Sequence, residues 1–242
     1  MNEKKFSQAE QKALVGKVAI DSLIEKGLIF SGMKIGLGTG STAMPAVTRL
    51  AERIKDGTIK NIKAVATSFQ TSIACEELGI PVFSMNAKEI GGKLDLAIDG
   101  ADEINPKKEL IKGGGAALLL EKIVAYNAKT FVIVADSSKV VDSIGTKFAL
   151  PVEIIAEART SVFEELKKLG ATCTLRQGVK KAGPVITDNG NLIADILWET
   201  APDACQMEKE INQIVGVVEN GFFTANPPLV YVAQEDGTVK EF

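Results

Sequence analysis

The feature that most limits what this chain can fold into is an alternation. Short apolar runs recur between longer stretches of helical character, and the runs end in polar, often glycine-containing loops. Residues 34–37, 62–66, 94–98 and 131–135 read as strands, and residues 81–83 as a further short one. Residues 7–25, 43–55, 70–78 and 116–128 read as helices, with Gly27 and Gly79 as stops and Pro45 in a first turn, where proline is tolerated. This pattern predicts an α/β fold: a Rossmann-like, mostly parallel sheet flanked by helices. Ligands of such sheets bind beyond the carboxyl ends of the strands. The loops after three strands, at 38–42, 99–103 and 136–139, are therefore expected to share a crevice.

The texture changes near Leu150-Pro151. Residues 152–155, 171–175, 185–187 and 192–197 read as short strands, and residues 160–169 and 203–214 as helices. Asp188-Asn189-Gly190-Asn191 is a hairpin-turn signal. The expectation is a smaller α+β domain with antiparallel pairing, inserted before residues 229–233 return as a strand to the first sheet. The predicted boundaries are 1–148 with 223–242 for the catalytic domain and 149–222 for the smaller one. A chain of 242 residues is long enough for a real core in each.

Composition removes several classes of function. There is no histidine, which excludes Ser-His-Asp and Cys-His catalysis and histidine-based zinc sites. Acid–base work falls to Asp, Glu, Lys, Tyr or Cys. Cys75, Cys173 and Cys205 are far apart and in no C-x-x-C pair, so neither a disulfide framework nor a zinc site is suggested. The formal charge is −3 with scattered Lys and Arg, so nucleic acid is not an expected partner. No apolar run has the length of a membrane span, and residues 1–11 are polar with no leader-like apolar stretch. The expected location is the cytoplasm. Apolar positions in the smaller domain point to a homo-oligomer, a dimer or a tetramer.

Chemistry concentrates in five places. Gly36-Leu37-Gly38-Thr39-Gly40-Ser41-Thr42 is a strand–turn–helix loop suited to an anion through its backbone, its hydroxyls and the helix start. It is neither G-x-G-x-x-G nor a P-loop, and a plain capped turn is the competing reading. Asp99-Gly100-Ala101-Asp102-Glu103 follows an apolar strand; the competing reading is a solvated acidic turn. Lys112-Gly113-Gly114-Gly115 offers a cation and free amides for an oxyanion, against a hinge. Glu121 lies among Ala117, Leu118, Val124 and Ala125 at helical spacing, where lost solvation makes a carboxylate a better proton acceptor. Its competing reading is a Glu121–Lys122 polar edge on a surface helix. Asp136-Ser137-Ser138-Lys139 is a further polar loop, and Lys139 and Lys12 are candidate anion ligands. Taken together, these residues point to moving a proton next to a carbonyl.

In order along the chain, GLGTGSTA (36–43), DGADEIN (99–105), KGGGAALLLEK (112–122), ADSSK (135–139), LPVE (150–153), RQG (176–178) and TDNGN (187–191) resemble the ribose-5-phosphate isomerases of type A. The resemblance implies an intramolecular oxidoreductase that interconverts D-ribose 5-phosphate and D-ribulose 5-phosphate in the pentose phosphate pathway, with no metal and no cofactor. It implies Glu121 as the base between C1 and C2 and Lys112, with Gly113 and Gly114, around an enediolate oxygen, with Gly115 among the substrate-binding residues. Asp99 would assist ring opening, and Gly100, Ala101 and Asp102 would hold the sugar. Thr39, Gly40, Ser41 and Thr42 would line the pocket, with Ser41, Thr42, Lys139 and Lys12 around the phosphate. Leu119-Leu120 replaces the polar pair usual in such sequences, and an effect on packing or assembly is expected there.

Three other readings compete: a non-catalytic sugar-phosphate sensor, a coenzyme A transferase with Glu121 as nucleophile, and a Mg²⁺ site on Asp99, Asp102 and Glu103. The absence of a helix-turn-helix segment beside the domain counts against the sensor.

Overall fold

The computed structural model describes residues 5–242; the first four residues of the polar N-terminal stretch lie outside it. In chain order the elements are α1 (Gln8–Glu25), β1 (Lys34–Leu37), α2 (Ala43–Lys55), β2 (Lys63–Ala66), α3 (Phe69–Glu77), β3 (Leu94–Asp99), β4 (Glu103–Ile104), β5 (Leu110–Ile111), α4 (Leu118–Tyr126), β6 (Ala128–Asp136), β7 (Leu150–Ile154), α5 (Arg159–Lys168), β8 (Thr172–Leu175), β9 (Leu192–Leu197), α6 (Ala204–Ile211), β10 (Val217–Asn220), β11 (Phe222–Phe223), β12 (Leu229–Ala233) and β13 (Val239–Glu241). They fall into two compact units. The first comprises residues up to 100, 123–139 and 228–242; the second comprises 101–122 and 140–227.

The first unit carries a six-stranded sheet in the order β13-β12-β6-β3-β1-β2. Five strands run parallel, and β13 closes the edge antiparallel to β12. One face of this sheet is made by every second residue: Ile35 and Leu37, Leu96 and Ile98, Val132 and Val134, Tyr231 and Ala233. It packs against Val15, Ala19, Ile20 and Leu23 of α1 and Val47 and Leu50 of α2. Helix α1 starts where the sequence supplies a capping box: Ser7 accepts from the Glu10 amide, and the Glu10 carboxylate accepts from the Ser7 amide. Gly16 lets α1 and α2 approach closely, since a Cβ there would lie 2.6 Å from the Ala46 nitrogen.

The second unit holds a four-stranded antiparallel sheet, β10-β7-β9-β8, and a three-stranded one, β11-β5-β4. Its core gathers Leu150, Val152 and Ile154 with Val162 and Leu166 of α5 and Ile196 of β9. Trp198 stacks on Phe222 at 5.9 Å and donates from its indole to the Leu169 carbonyl.

Two expected strands shrink to single bridges. Of residues 81–83, only Val82 pairs, with Ala64, and of residues 185–187 only Ile186, with Leu192. Val82 and Ile186 are exposed, so neither run gains burial from a longer pairing. The helix expected over 116–128 is shorter at both ends. Ala116 sits at φ 59°, outside helical geometry, and β6 already begins at Ala128.

Candidate active site

In the first unit the sequence-predicted loops meet at the carboxyl ends of adjacent parallel strands, β1, β3 and β6. Asp99, the last residue of β3, is buried. Its Oδ1 accepts from the Thr39 amide at 3.1 Å and from the Gly100 amide at 2.7 Å. That placement requires glycine at 38: a Cβ there would lie 2.0 Å from Asp99 Oδ1. Gly40, at φ 92°, turns the chain into α2, and its amide donates to Gln70 Oε1. The Thr39 hydroxyl turns inward to Thr67, Ser68 and Thr71, at 2.7, 2.7 and 3.2 Å. Ser41 stays exposed and accepts from the Lys12 ammonium at 3.1 Å. Thr42 is buried at the start of α2 and makes no side-chain cap bond.

Helix α1 organises this end of the sheet. Gln8 donates to the Asp136 carboxylate and to Ser138, and the Gln11 side-chain Oε1 accepts from the Ser137 amide and hydroxyl. One turn of helix thus fixes the loop that carries Lys139 and aims Lys12 at Ser41. Gln8 and Gln11 escaped sequence reasoning, because glutamine on an amphipathic helix carries no signal for what it will meet.

In the second unit Lys112 and Glu121 are both buried, 3% and 5% exposed, and their side chains form an ion pair at 3.3 Å. The reading of Glu121 as a solvated edge is thereby removed. Lys122 is buried as well. It pairs with Glu208 at 3.1 Å and Glu219 at 2.9 Å, with its ammonium over the Phe223 ring. The Lys112 ammonium also lies over that ring, 5.5 Å from its centre. Lys112 extends β5, and its amide donates to the Gly221 carbonyl. Gly221 is irreplaceable there, because a Cβ would meet the Lys112 carbonyl oxygen at 2.4 Å. Gly221 and Phe223 are far from the glycine loop in sequence, and only the β11–β5 pairing reveals them.

The glycine loop is held by Asp102, whose Oδ2 accepts from the Gly114 amide at 2.8 Å. Gly113, at φ 99°, adopts a backbone that side chains rarely take, and Gly114 and Gly115 are exposed. Ala101 is buried, and Leu119 and Leu120 are half-buried. Glu103 is spent on structure: its carboxylate accepts from the Gly145 and Phe148 amides at 2.9 and 3.0 Å. No group of three or more His, Cys, Asp or Glu side chains among the described residues is arranged to hold a metal ion. No described helix is long and apolar enough to cross a membrane.

A parallel α/β sheet with an anion-suited loop, and a unit with a buried carboxylate–lysine pair beside a glycine loop, are features of an α/β protein equipped for acid–base chemistry. A family model described as ribose 5-phosphate isomerase A (phosphoriboisomerase A) matches residues 63–237. A ribose-5-phosphate isomerase A from Treponema denticola is 58% identical over 235 residues, covering 96% of this chain and 98% of the relative. One from Treponema pallidum is 51% identical, covering 96% and 92%. A solved D-ribose-5-phosphate isomerase in complex with phospho-erythronic acid superposes with a TM-score of 0.90 at 41% identity, covering 98% and 99%. The ribose 5-phosphate isomerase A of Methanocaldococcus jannaschii gives 0.88 at 41%, with the same coverage. The chain belongs to the ribose 5-phosphate isomerase A family.

Proposed function

We propose that this protein interconverts D-ribose 5-phosphate and D-ribulose 5-phosphate through an enediolate, with Glu121 as the base. The observation that carries this reading is the buried Glu121–Lys112 pair. It sets a proton acceptor next to a fixed positive charge, both shielded from water. A hydrogen beside a carbonyl is a weak acid, so a carboxylate alone removes it slowly. A preorganised donor at the developing oxyanion supplies the missing stabilisation, about 3 kcal/mol for a single donor.

In the forward direction Glu121 takes the C2 hydrogen of the open-chain aldose as a proton, and the carbonyl electrons move onto O1. Lys112 and the glycine amides stabilise that charge. Glu121 then returns the proton to C1, while O1 gains a proton and O2 loses one, leaving the ketose. Asp99 assists ring opening, and Gly100, Ala101 and Asp102 hold sugar hydroxyls. Thr39, Gly40, Ser41 and Thr42 line the pocket, and Lys12 and Lys139 bind the phosphate. Gripping a group remote from the reacting carbons holds the substrate in register. The Lys12–Ser41 contact supports the phosphate role, and the complex of the 41%-identical relative with phospho-erythronic acid supports a phosphorylated sugar as ligand.

As a division of labour, residues 1–148 and 223–242 carry the chemistry and 149–222 support it. The protein works in the cytoplasm, in the pentose phosphate pathway, as a homodimer or tetramer.

The test is turnover of ribose 5-phosphate by purified protein with and without EDTA, alongside the Glu121→Gln variant. The expected result is equal turnover in both buffers and a folded variant slower by at least about a thousandfold. A wild type without turnover, or a variant near wild-type rate, refutes the assignment.

A further inference from the structure

Arg176 opens the Arg176-Gln177-Gly178 stretch, to which the proposed chemistry gives no role. Its side chain is only 16% exposed. On one edge, Nε donates to Asp195 Oδ2 at 2.8 Å and Nη2 donates to Oδ1, a two-pronged grip on one carboxylate. On the other, Nη1 donates to the carbonyl oxygens of Gly113 and Gly114, at 3.1 and 3.0 Å. The anchor is a sheet rather than a loop. Asp195 lies within β9, and the Arg176 amide donates to the Ile193 carbonyl on that same strand.

Those two carbonyls constrain what the glycine loop presents on its other side. In a trans peptide the C=O and the following N–H point in opposite directions. Two consecutive carbonyls caught on one guanidinium nitrogen therefore turn the Gly114 and Gly115 amides away from Arg176. The Gly114 amide bears this out, reaching Asp102 Oδ2 at 2.8 Å. Successive N–H groups aimed to one side form a concavity for an anion. Three glycines in a row have the freest backbone of any tripeptide; the Ala116 amide bonds the Gly113 carbonyl at 2.9 Å and Asp102 takes the Gly114 amide, and Arg176 adds the hold on the Gly114 carbonyl.

We propose that Arg176, braced by Asp195, is a positioning residue for the isomerisation. It locks the two peptide planes so that the Gly115 amide is already aimed when charge develops on the substrate oxygen, while the Gly114 amide stays on Asp102. This rests on the isomerase reading above and adds to it a residue that never meets the substrate. Lysine is no substitute, because one ammonium cannot hold the Asp195 fork and two carbonyls in a plane.

The experiment compares Arg176→Ala and Arg176→Lys with wild type in kcat and KM for ribose 5-phosphate, in melting midpoint, and in rescue by millimolar guanidinium chloride against equal sodium chloride. The expected result for Arg176→Ala is a kcat lower by about ten- to a hundredfold, less than the loss of a donor itself, with KM changed by less than about threefold. Guanidinium restores a large part of that kcat and sodium chloride none. Arg176→Lys keeps the fold and loses kcat in the same direction; if Arg176→Ala does not fold, this variant decides. Wild-type kcat in either folded variant overturns the proposal. So does a kcat loss that tracks the unfolded fraction and is not rescued. A wild type that fails to turn over ribose 5-phosphate sinks the isomerase reading instead, and an active wild type with an unchanged Arg176→Lys sinks only the positioning role.

Discussion

Asp99 shows how little room the candidate catalytic residues have. Its carboxylate lies against the backbone of residue 38, where only the missing side chain of glycine makes space. Gly38→Ala would drive a methyl group to 2.0 Å from Oδ1, so the carboxylate must move. Overpacking of this kind costs about 1–3 kcal/mol, and a shift of a catalytic group by about 1 Å lowers rates by about a hundredfold. Steady-state kinetics and melting of this variant are expected to show both. Unchanged kcat/KM would mean that Asp99 takes no part in the reaction. At this scale the sequence was informative where chemistry is dense. Glu121 stood out as a carboxylate among apolar neighbours, and it is buried with a lysine. What could not be read was the partner of Lys122. Glu208 and Glu219 lie 86 and 97 residues away, and no local pattern announces a pairing at that distance.

At the scale of elements, most of the first sheet was legible because its strands are apolar runs, as in β3 and β6, and a helix such as α2 buries one apolar face. The strands missed, β4, β5, β10, β11 and β13, are two to four residues long, and β13 reads Val239-Lys240-Glu241, largely exposed on an edge. Elements this short are set by tertiary pairing and leave no period to detect. The α1–α2 pair carries an electrostatic clamp as well as its close contact. Asp21 on α1 accepts from both Arg49 and Arg53 on α2, with shortest contacts of 2.7 and 2.9 Å. Partial burial pushes the Asp21 carboxyl up, but the bonds and charges of Arg49 and Arg53 outweigh it and hold the group below its usual 3.8. Folded protein therefore releases this proton more readily than unfolded chain. The clamp's stability is complete above the unfolded value and is lost as pH falls through the lowered folded value. Melting midpoints of wild type and Asp21→Asn are expected to differ by a constant amount from neutrality down to about pH 5, and to converge on further acidification. A gap that widens in acid would contradict the clamp.

For the whole molecule, the relatives cover nearly all of the chain, and the family model, over residues 63–237, takes in Asp99, Asp102, Lys112, Glu121 and Lys139 but not Lys12 or residues 39–42. The sequence also anticipated free thiols, and no disulfide links the three cysteines. Cys75 is fully buried, and burial pushes its thiol up to about 11. It is therefore un-ionised at neutral pH and inert while the fold is intact, since the thiolate is the reactive form. Alkylation at mildly alkaline pH, read by peptide mass, is expected to spare Cys75 in native protein and modify it after denaturation. Modification at equal rates in both states would show that the first unit's core opens readily.

The central claim is that a buried carboxylate at residue 121 moves one proton between two carbons of a sugar phosphate. Hydrogen exchange at C2 of ribose 5-phosphate in deuterium oxide, followed by NMR, reads that step directly. Wild type is predicted to wash deuterium into the recovered aldose and its ketose product, and Glu121→Gln to leave C2 protonated while the protein remains folded. Exchange at wild-type rate in the folded variant would contradict the account.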